Sequence, residues 1–190
     1  IEALYCKKKT TIANKQHKVY PYLLRNTNIT RPNQVWAGDI TYIPMNLGFM
    51  YLMAVIDWYS RYIVSFALSN TLETYFCLEA LELAFTNSNN IKPEIFNTDQ
   101  GSQFTSNIWV ENLKFNNINI SMDGKGRWVD NVIMERFFRS LKYESIYINP
   151  ADDVKILKNQ LKNYVDFYNN KRLHKSLGYK TPKEVFLQRS

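Results

Sequence analysis

Three acidic residues of this 190-residue chain lie in three different kinds of predicted element. Asp39 lies within a predicted strand, Asp99 follows another strand, and Glu135 lies on a predicted helix, with the 35 residues 100–134 between the last two. Carboxylate oxygens are preferred ligands of Mg²⁺ and Mn²⁺, whereas zinc prefers Cys and His. Two such ions about 3.5–4 Å apart activate an attacking oxygen and stabilise the leaving oxygen of an in-line displacement. The set therefore predicts a site for metal-dependent phosphoryl transfer, with Mg²⁺ or Mn²⁺ as the cofactor and two ions bound.

Each carboxylate taken alone has a simpler explanation. Asp39 could face solvent on an edge strand, and Asp99 could be a turn residue that accepts backbone N–H groups. Glu135 could form a surface pair with Arg139 one helical turn further on. These alternatives stay open for each residue by itself, and the order and placement of the three residues favour a shared site.

The hydrophobic pattern predicts an α/β fold. Three strands joined by short turns indicate an antiparallel meander, and two short strands alternate with helices after it. Asn70 and Glu73 resemble a capping box before the first helix. The strands are predicted near 35–43, 49–56, 61–68, 94–98 and 119–122, and the helices near 72–85, 104–115, 130–146 and 152–170. This order predicts a mixed five-stranded sheet with helices on both faces and a C-terminal helical extension.

The helix of Glu135 is predicted to carry a polar face suited to DNA. At about 100° per residue, Asn131, Arg139 and Lys142 lie within about 40° of Glu135, and the opposite side is apolar. A carboxylate with two cations on one face could bind metal and follow a phosphate backbone.

The loop before this helix is also a candidate DNA contact. It contains two glycines together with Lys125, Arg127 and Trp128. The cations could contact phosphates and the indole ring could stack on a base or sugar. An ordinary connecting loop explains the segment equally well.

Composition and charge exclude several classes of protein. The longest apolar runs, such as residues 49–56, are far too short to span a membrane. Two cysteines, Cys6 and Cys77, cannot form a disulfide framework, and we expect free thiols in a reducing cytosol. The only histidines are His17 and His174, which disfavours a zinc module and a tyrosine recombinase.

The net charge of +7 is unevenly distributed along the chain. Residues 1–33 carry a charge of +6, residues 34–149 of −4 and residues 150–190 of +5. An acidic middle between basic ends suits a metal site presented to a polyanion.

Several ordered motifs resemble the DDE transposase and integrase superfamily, specifically the catalytic protein of bacterial insertion sequences. They are residues 33–43, 98–104, 121–131 and 135–144, followed by a C-terminal signature in residues 168–182. Any one motif is weak, whereas the ordered set over about residues 20–187 is specific. Many relatives carry His-Ser where this chain has Asn97-Thr98, and we expect little effect because the hydroxyl is kept.

The resemblance implies a ribonuclease H-like fold in which Asp39, Asp99 and Glu135 bind the metals. Water would first free a 3′-OH at the element's end, and this 3′-OH would then attack target DNA. Arg172 and His174 of the C-terminal signature would contact DNA. By analogy, the enzyme would act as a homo-oligomer on DNA.

The resemblance also suggests how the chain is divided. Residues 1–28 are expected to form a basic leader or linker, and residues 29–190 the catalytic domain. Within that domain the acidic core would cover about 34–149 and the helical segment about 150–190. The resemblance also implies an upstream helix-turn-helix region, and we expect this chain to start too late to contain a complete one. A truncated remnant that only binds DNA, or a nuclease that cuts without joining, remain the alternatives.

Overall fold

The computed structural model describes residues 18–124 and 131–188, which form a five-stranded sheet with helices on both faces. The strands are β1 (Val35–Pro44), β2 (Phe49–Asp57), β3 (Ile63–Ser69), β4 (Ile95–Thr98) and β5 (Asn119–Met122). The helices are α1 (Thr74–Asn87), α2 (Asn107–Phe115), α3 (Val132–Leu141), α4 (Val154–Asn170) and α5 (Pro182–Leu187). The strand order is β3-β2-β1-β4-β5, which confirms the predicted mixed sheet.

The sheet joins an antiparallel half to a parallel half at β1. This strand pairs antiparallel with β2, which pairs antiparallel with β3, as expected for a meander. On its other side β1 pairs in parallel with β4, and β4 with β5. The parallel pairs place the C-terminal ends of β1, β4 and β5 at one edge, where ligands commonly bind in α/β sheets.

Two hydrophobic clusters cover the two faces of the sheet. One contains Trp36 and Phe96 with the buried sides of α1 and α2. The other contains Ala37 and Ile43 with the buried sides of α3 and α4. Because side chains alternate along a strand, neighbouring residues of β1 enter opposite clusters. The continuous apolar run in β2 is explained in the same way, since Leu52–Asp57 are buried throughout.

Some predicted helix ends differ from the structure. The capping box at Asn70 and Glu73 is wrong: Glu73 is the N-cap of α1, and its side chain makes no capping hydrogen bond. The predicted helix over 130–146 is divided, since α3 ends at Leu141 and a π-helical turn, Lys142–Ile146, follows. Such turns are frequent at functional sites. A capping box does occur at α5, where Thr181 and Glu184 bond reciprocally.

The described part of the predicted leader lies against β5. The N–H of Leu23 donates to Ser121 Oγ at 3.0 Å, and Leu24 is buried. Residues 1–17 lie outside the described part of the chain, and Cys6 and His17 are among them. Cys77 is a free, buried thiol on α1. Within the described residues, none of the helices combines the length and apolar character needed to cross a membrane.

Candidate active site

The register of the parallel strands places three aspartates at one level of the sheet edge. Ala37 of β1 pairs with Asn97 of β4, and Asn97 pairs with Ser121 of β5. Two residues beyond each of these positions stand Asp39, Asp99 and Asp123. The sheet therefore aligns two of the predicted carboxylates with a third that the sequence did not single out.

Asp39 is the most strongly perturbed of these acids. It lies mid-strand in β1, and its Oδ1 accepts the N–H of Ile40 at 2.7 Å. Burial and the negative charge of Asp99 raise the pKa of Asp39 to about 7, with smaller contributions from Asp123 and Glu135. The hydrogen bond from Ile40 opposes this rise. The negative charges of Asp99, Asp123 and Glu135 therefore all raise the pKa of Asp39.

Asp99 is held by the turn that follows β4. Its Oδ1 accepts the N–H of Gly101 at 2.9 Å. Burial raises the pKa of Asp99, and the hydrogen bond from Gly101 opposes that rise. A Cβ on Gly101 would stand 2.9 Å from Asp99 Oδ1, so only glycine leaves this carboxylate undisturbed. Asp99 is exposed overall and bonded as expected for a turn aspartate, while strand register aligns it with Asp39.

Asp123 is held beside the site by hydrogen bonds from two side-chain amides. Asn97, fully buried on β4, donates to Asp123 Oδ1 at 2.7 Å and accepts from Ser121 Oγ at 2.7 Å. The side-chain amide of Gln100 donates to the backbone oxygen of Asp123 at 2.8 Å. Asn97 therefore ties β4 to the segment that follows β5. The signal for Asp123 was its position directly after β5, at the same edge as Asp99.

Helix α3 places Glu135 at the site by burying its other side. Glu135 is exposed, whereas Met134, Phe137 and Leu141 are buried against the sheet. Its charge makes the smallest of the contributions that raise the pKa of Asp39. The predicted core side of this helix is buried, since Ile133, Phe137 and Leu141 all lie in the core.

Lys142 connects the end of α3 to the strand that carries Asp39. Its Nζ donates to Thr41 Oγ1 at 2.8 Å. Thr41 lies two residues beyond Asp39, on the same face of β1. Burial lowers the pKa of Lys142, and the charge of Asp39 opposes this. One cation therefore stands at the rim of the acidic site.

The other predicted DNA contacts have different surroundings. Arg139 is exposed on α3, its guanidinium 6.0 Å from the centre of the Tyr143 ring. Asn131 is buried, and its Oδ1 has no hydrogen-bond partner among the described residues. It therefore does not share the exposed surface of Glu135. Lys125, Arg127 and Trp128 lie outside the described residues.

Arg172 and His174 lie in the segment after α4. Arg172 forms an ion pair with Glu144, which also accepts the hydroxyl of Tyr164 at 2.9 Å. The His174 ring stands edge-on to Tyr168, with 4.9 Å between ring centres. These two predicted contacts therefore belong to a region next to α3 rather than to the carboxylate edge.

The residues present fit a hard divalent cation by their chemistry. Among the described residues, no three side chains of Asp, Glu, His or Cys are arranged as a ready metal cluster. However, Asp39 is surrounded by acids whose charges raise its pKa, and a cation is what would allow them to ionise together. All the donors are oxygens, which suits Mg²⁺ or Mn²⁺. That Asp39, Asp99 and Glu135 are the ligands stays a prediction.

Comparison with known proteins identifies related sequences and folds. Two profiles described as Integrase core domain match residues 29–127 and 116–182. The transposase for insertion sequence element IS904 of Lactococcus lactis subsp. lactis (strain IL1403) is 36% identical over 156 residues, which cover 82% of this chain and 62% of that protein. Transposase InsF for insertion sequence IS3A of Escherichia coli (strain K12) is 35% identical over 154 residues, or 80% of this chain and 54% of that protein.

A solved structure shows the same fold at low sequence identity. The catalytic core domain of HTLV-2 integrase in complex with magnesium (dimeric form) superposes with a TM-score of 0.66 at 21% identity. The match covers 82% of this chain and 97% of that one. The chain spans a little over half the length of the curated transposases that it matches.

Proposed function

Because this chain belongs to the integrase core domain family, which it shares with transposases of bacterial insertion sequences, we propose that it catalyses DNA transposition by metal-dependent phosphoryl transfer. In the proposed reaction, end cleavage frees a 3′-OH at the element's end, and strand transfer joins that 3′-OH to target DNA. The observation that supports the proposal is the strand register that aligns Asp39 of β1 with Asp99 and Asp123, which follow β4 and β5.

Asp39, Asp99 and Glu135 would hold two Mg²⁺ or Mn²⁺ ions. When bound, such ions supply charge stabilisation for the attacking and leaving oxygens of an in-line displacement. Asp39 must give up its proton to act as a ligand, because only the ionised carboxylate binds metal strongly. Its pKa of about 7 places this change near neutrality. Gly101 and Ile40 orient the ligands Asp99 and Asp39 through their backbone N–H groups.

Cations beside the acids would position the substrate. Lys142 is held by Thr41 at the rim of the site, where it can contact a phosphate oxygen of DNA. Arg139, one helical turn beyond Glu135, can contact the backbone further along the strand. Because transposition pairs two ends of the element, the chain would act as a homo-oligomer on DNA.

The test uses labelled duplexes that carry the terminal sequences flanking the gene. Wild-type protein is expected to release a 3′-OH end with Mg²⁺ or Mn²⁺ and to join a pre-cut 3′-OH end to target DNA. Asp99→Asn and Glu135→Gln should lose both products, whereas Glu111→Gln, an exposed carboxylate on α2, should keep both.

The products also separate the alternatives. Cleavage without joined products would indicate a nuclease of the same fold. Binding of DNA with neither product, in every divalent metal, would indicate a remnant. Full activity of Asp99→Asn would refute the proposed site.

A further inference from the structure

A polar pocket, separate from the carboxylate site, lies on the side of α3 next to Glu135. Basic side chains form about half of its lining. The pocket has a volume of about 340 Å³. We call it the arginine pocket and define it by Arg61, Arg136, Arg139, Arg172, His174 and Lys175. Residues from the β2–β3 turn, from α3 and from the segment after α4 therefore meet there.

No carboxylate lines this pocket among the described residues. Glu144, the nearest acid to Arg172, is engaged by that arginine and by Tyr164. Asp57, which precedes the turn of Arg61, accepts the N–H of Asn33 at 2.7 Å and the N–H of Ser60 at 2.8 Å. Arg172 is thus paired with an acid, whereas Arg61, Arg136 and Arg139 have no ion pair within the described part of the chain. The positive charge that these three arginines leave uncompensated raises the local concentration of anions.

Two buried nitrogen atoms at the pocket lack partners. Arg61 Nη1 and His174 Nε2 are both shielded from solvent, and neither has a hydrogen-bond partner in the described part of the chain. A buried donor without an acceptor costs about 1–3 kcal/mol. Burial and the neighbouring arginines lower the pKa of His174, and burial lowers the pKa of Arg61. An oxyanion in the pocket would accept from Arg61 Nη1, and from His174 Nε2 in the tautomer that carries the proton there, and would offset these costs.

The turn that carries Arg61 is rigidly held. Arg61 has a φ of +65°, which is uncommon for a residue with a side chain. Its N–H donates to the backbone oxygen of Asp57 at 2.9 Å, and the N–H of Asp57 donates to Tyr62 at 2.8 Å. Ser60 Oγ also donates to the Asp57 carboxylate, at 2.5 Å. The backbone of Arg61 is therefore fixed before any ligand binds, and burial of Nη1 restricts the guanidinium, which lowers the entropy lost on binding.

We propose that the arginine pocket binds one phosphate group of the DNA backbone, at a position separate from the phosphate that reacts at the carboxylates. This inference rests on the proposed function, since it assumes that DNA lies along α3. Arg139 lies one turn beyond Glu135 and also lines the pocket, so a strand leaving the carboxylate edge passes directly over it. A planar guanidinium fork matches a phosphate better than an ammonium does, which accounts for four arginines here.

The test measures binding of a fluorescein-labelled 20-base-pair duplex in EDTA, so that the metal site does not contribute. Arg136→Gln changes an exposed residue of α3 and is expected to weaken binding about tenfold. The slope of log K against log salt concentration should also become shallower by about one. Arg61→Gln should act similarly. The control Arg31→Gln removes the same charge from an exposed arginine paired with Glu94 and should change affinity less than about twofold.

A second measurement distinguishes DNA from free phosphate. Inorganic phosphate at constant ionic strength should compete with the duplex for wild-type protein and compete less for Arg136→Gln. Phosphate could instead raise the melting temperature of wild type only, while the duplex binds wild type and all variants equally. In that case the pocket binds free phosphate, and the proposal that it binds the DNA backbone is wrong. Equal losses for Arg31→Gln and Arg136→Gln, or no binding of either probe by wild type, would also overturn it.

The two proposals fail in different experiments. Asp99→Asn should bind the duplex in EDTA as tightly as wild type while losing cleavage. A wild-type protein that binds through the arginine pocket but never cuts would refute the catalytic proposal alone. A protein that cuts and joins DNA while tolerating Arg61→Gln and Arg136→Gln would refute the pocket alone.

Discussion

Replacing Asp39 by Asn should make the metal-free protein more stable while removing its activity. The folded protein holds the Asp39 proton up to a pH of about 7, whereas the unfolded chain loses it near the ordinary value of 3.8. Between these values the folded state binds more protons, so stability falls as the pH rises from 3.8 to 7. Above pH 7 Asp39 is ionised in both the folded and the unfolded state, and the loss of stability has reached its full size.

The size of this effect follows from the shift. A change from 3.8 to about 7 corresponds to at most about 4 kcal/mol, at about 1.4 kcal/mol per pKa unit. An amide carries no charge to desolvate and does not repel Asp99, and its oxygen can still accept from Ile40. We therefore expect Asp39→Asn to gain about 1–4 kcal/mol at pH 8 and nearly nothing at pH 4, where Asp39 is itself neutral.

Urea unfolding in EDTA at pH 4 and pH 8 measures this difference. Glu111→Gln, on the exposed side of α2, is the matched control and should change little at either pH. Adding Mg²⁺ at pH 8 should stabilise wild type and not Asp39→Asn, which narrows the gap. A variant no more stable than wild type at pH 8 in EDTA, or equally stabilised at both pH values, would refute the reasoning.

Three further predictions concern residues that support the site. Gly101→Ala should reduce DNA cleavage at least tenfold, because the new Cβ would contact the Asp99 carboxylate, while the free energy of unfolding stays within about 1 kcal/mol of wild type. Cleavage assays and urea unfolding measure these two quantities, and unchanged cleavage would contradict the prediction. Asp123→Asn should lower the pKa of Asp39, because it removes a nearby negative charge. In Mg²⁺ titrations from pH 5 to 8, the Mg²⁺ affinity of this variant should then fall at a lower pH than that of wild type, and an unshifted profile would show that the charge of Asp123 does not act on Asp39. Asn169→Ala should cost about 2–3 kcal/mol in urea unfolding, since this side chain accepts from and donates to the backbone of the first residue of β3, both at 2.9 Å; a loss below about 0.5 kcal/mol would show that the pairing contributes little.

Much of the architecture could be predicted because local patterns decided it. The short strand β5 was predicted with its observed bounds, and the buried strand β2 to within one residue of its end. Both are apolar segments bounded by turn residues, and burial of such segments needs no information from distant parts of the chain. The start of α1 was predicted wrongly because Asn70 and Glu73 fit a capping pattern that the backbone does not adopt.

The chemistry around the site was less accessible to local reasoning. Asn131 fits the polar face of its helix by angle, yet the structure buries it. The sequence did not predict a role for Arg61, because the other residues of the arginine pocket lie about 75 to 115 positions further along the chain. A helical wheel describes one element, whereas burial and ion pairing depend on what other elements bring to the same place.

The sequence by itself determined that Asp39 lies on a strand, that Asp99 directly follows a strand and that Glu135 lies on a helix, since hydrophobic periodicity sets the elements and their faces. The tertiary structure alone decided that their charges meet, because strand register and helix packing set the distances on which electrostatic interactions depend. It also added Asp123 to the acids and assembled the arginine pocket beside them. Residue types are local properties, whereas the pKa of Asp39 is a property of the whole fold.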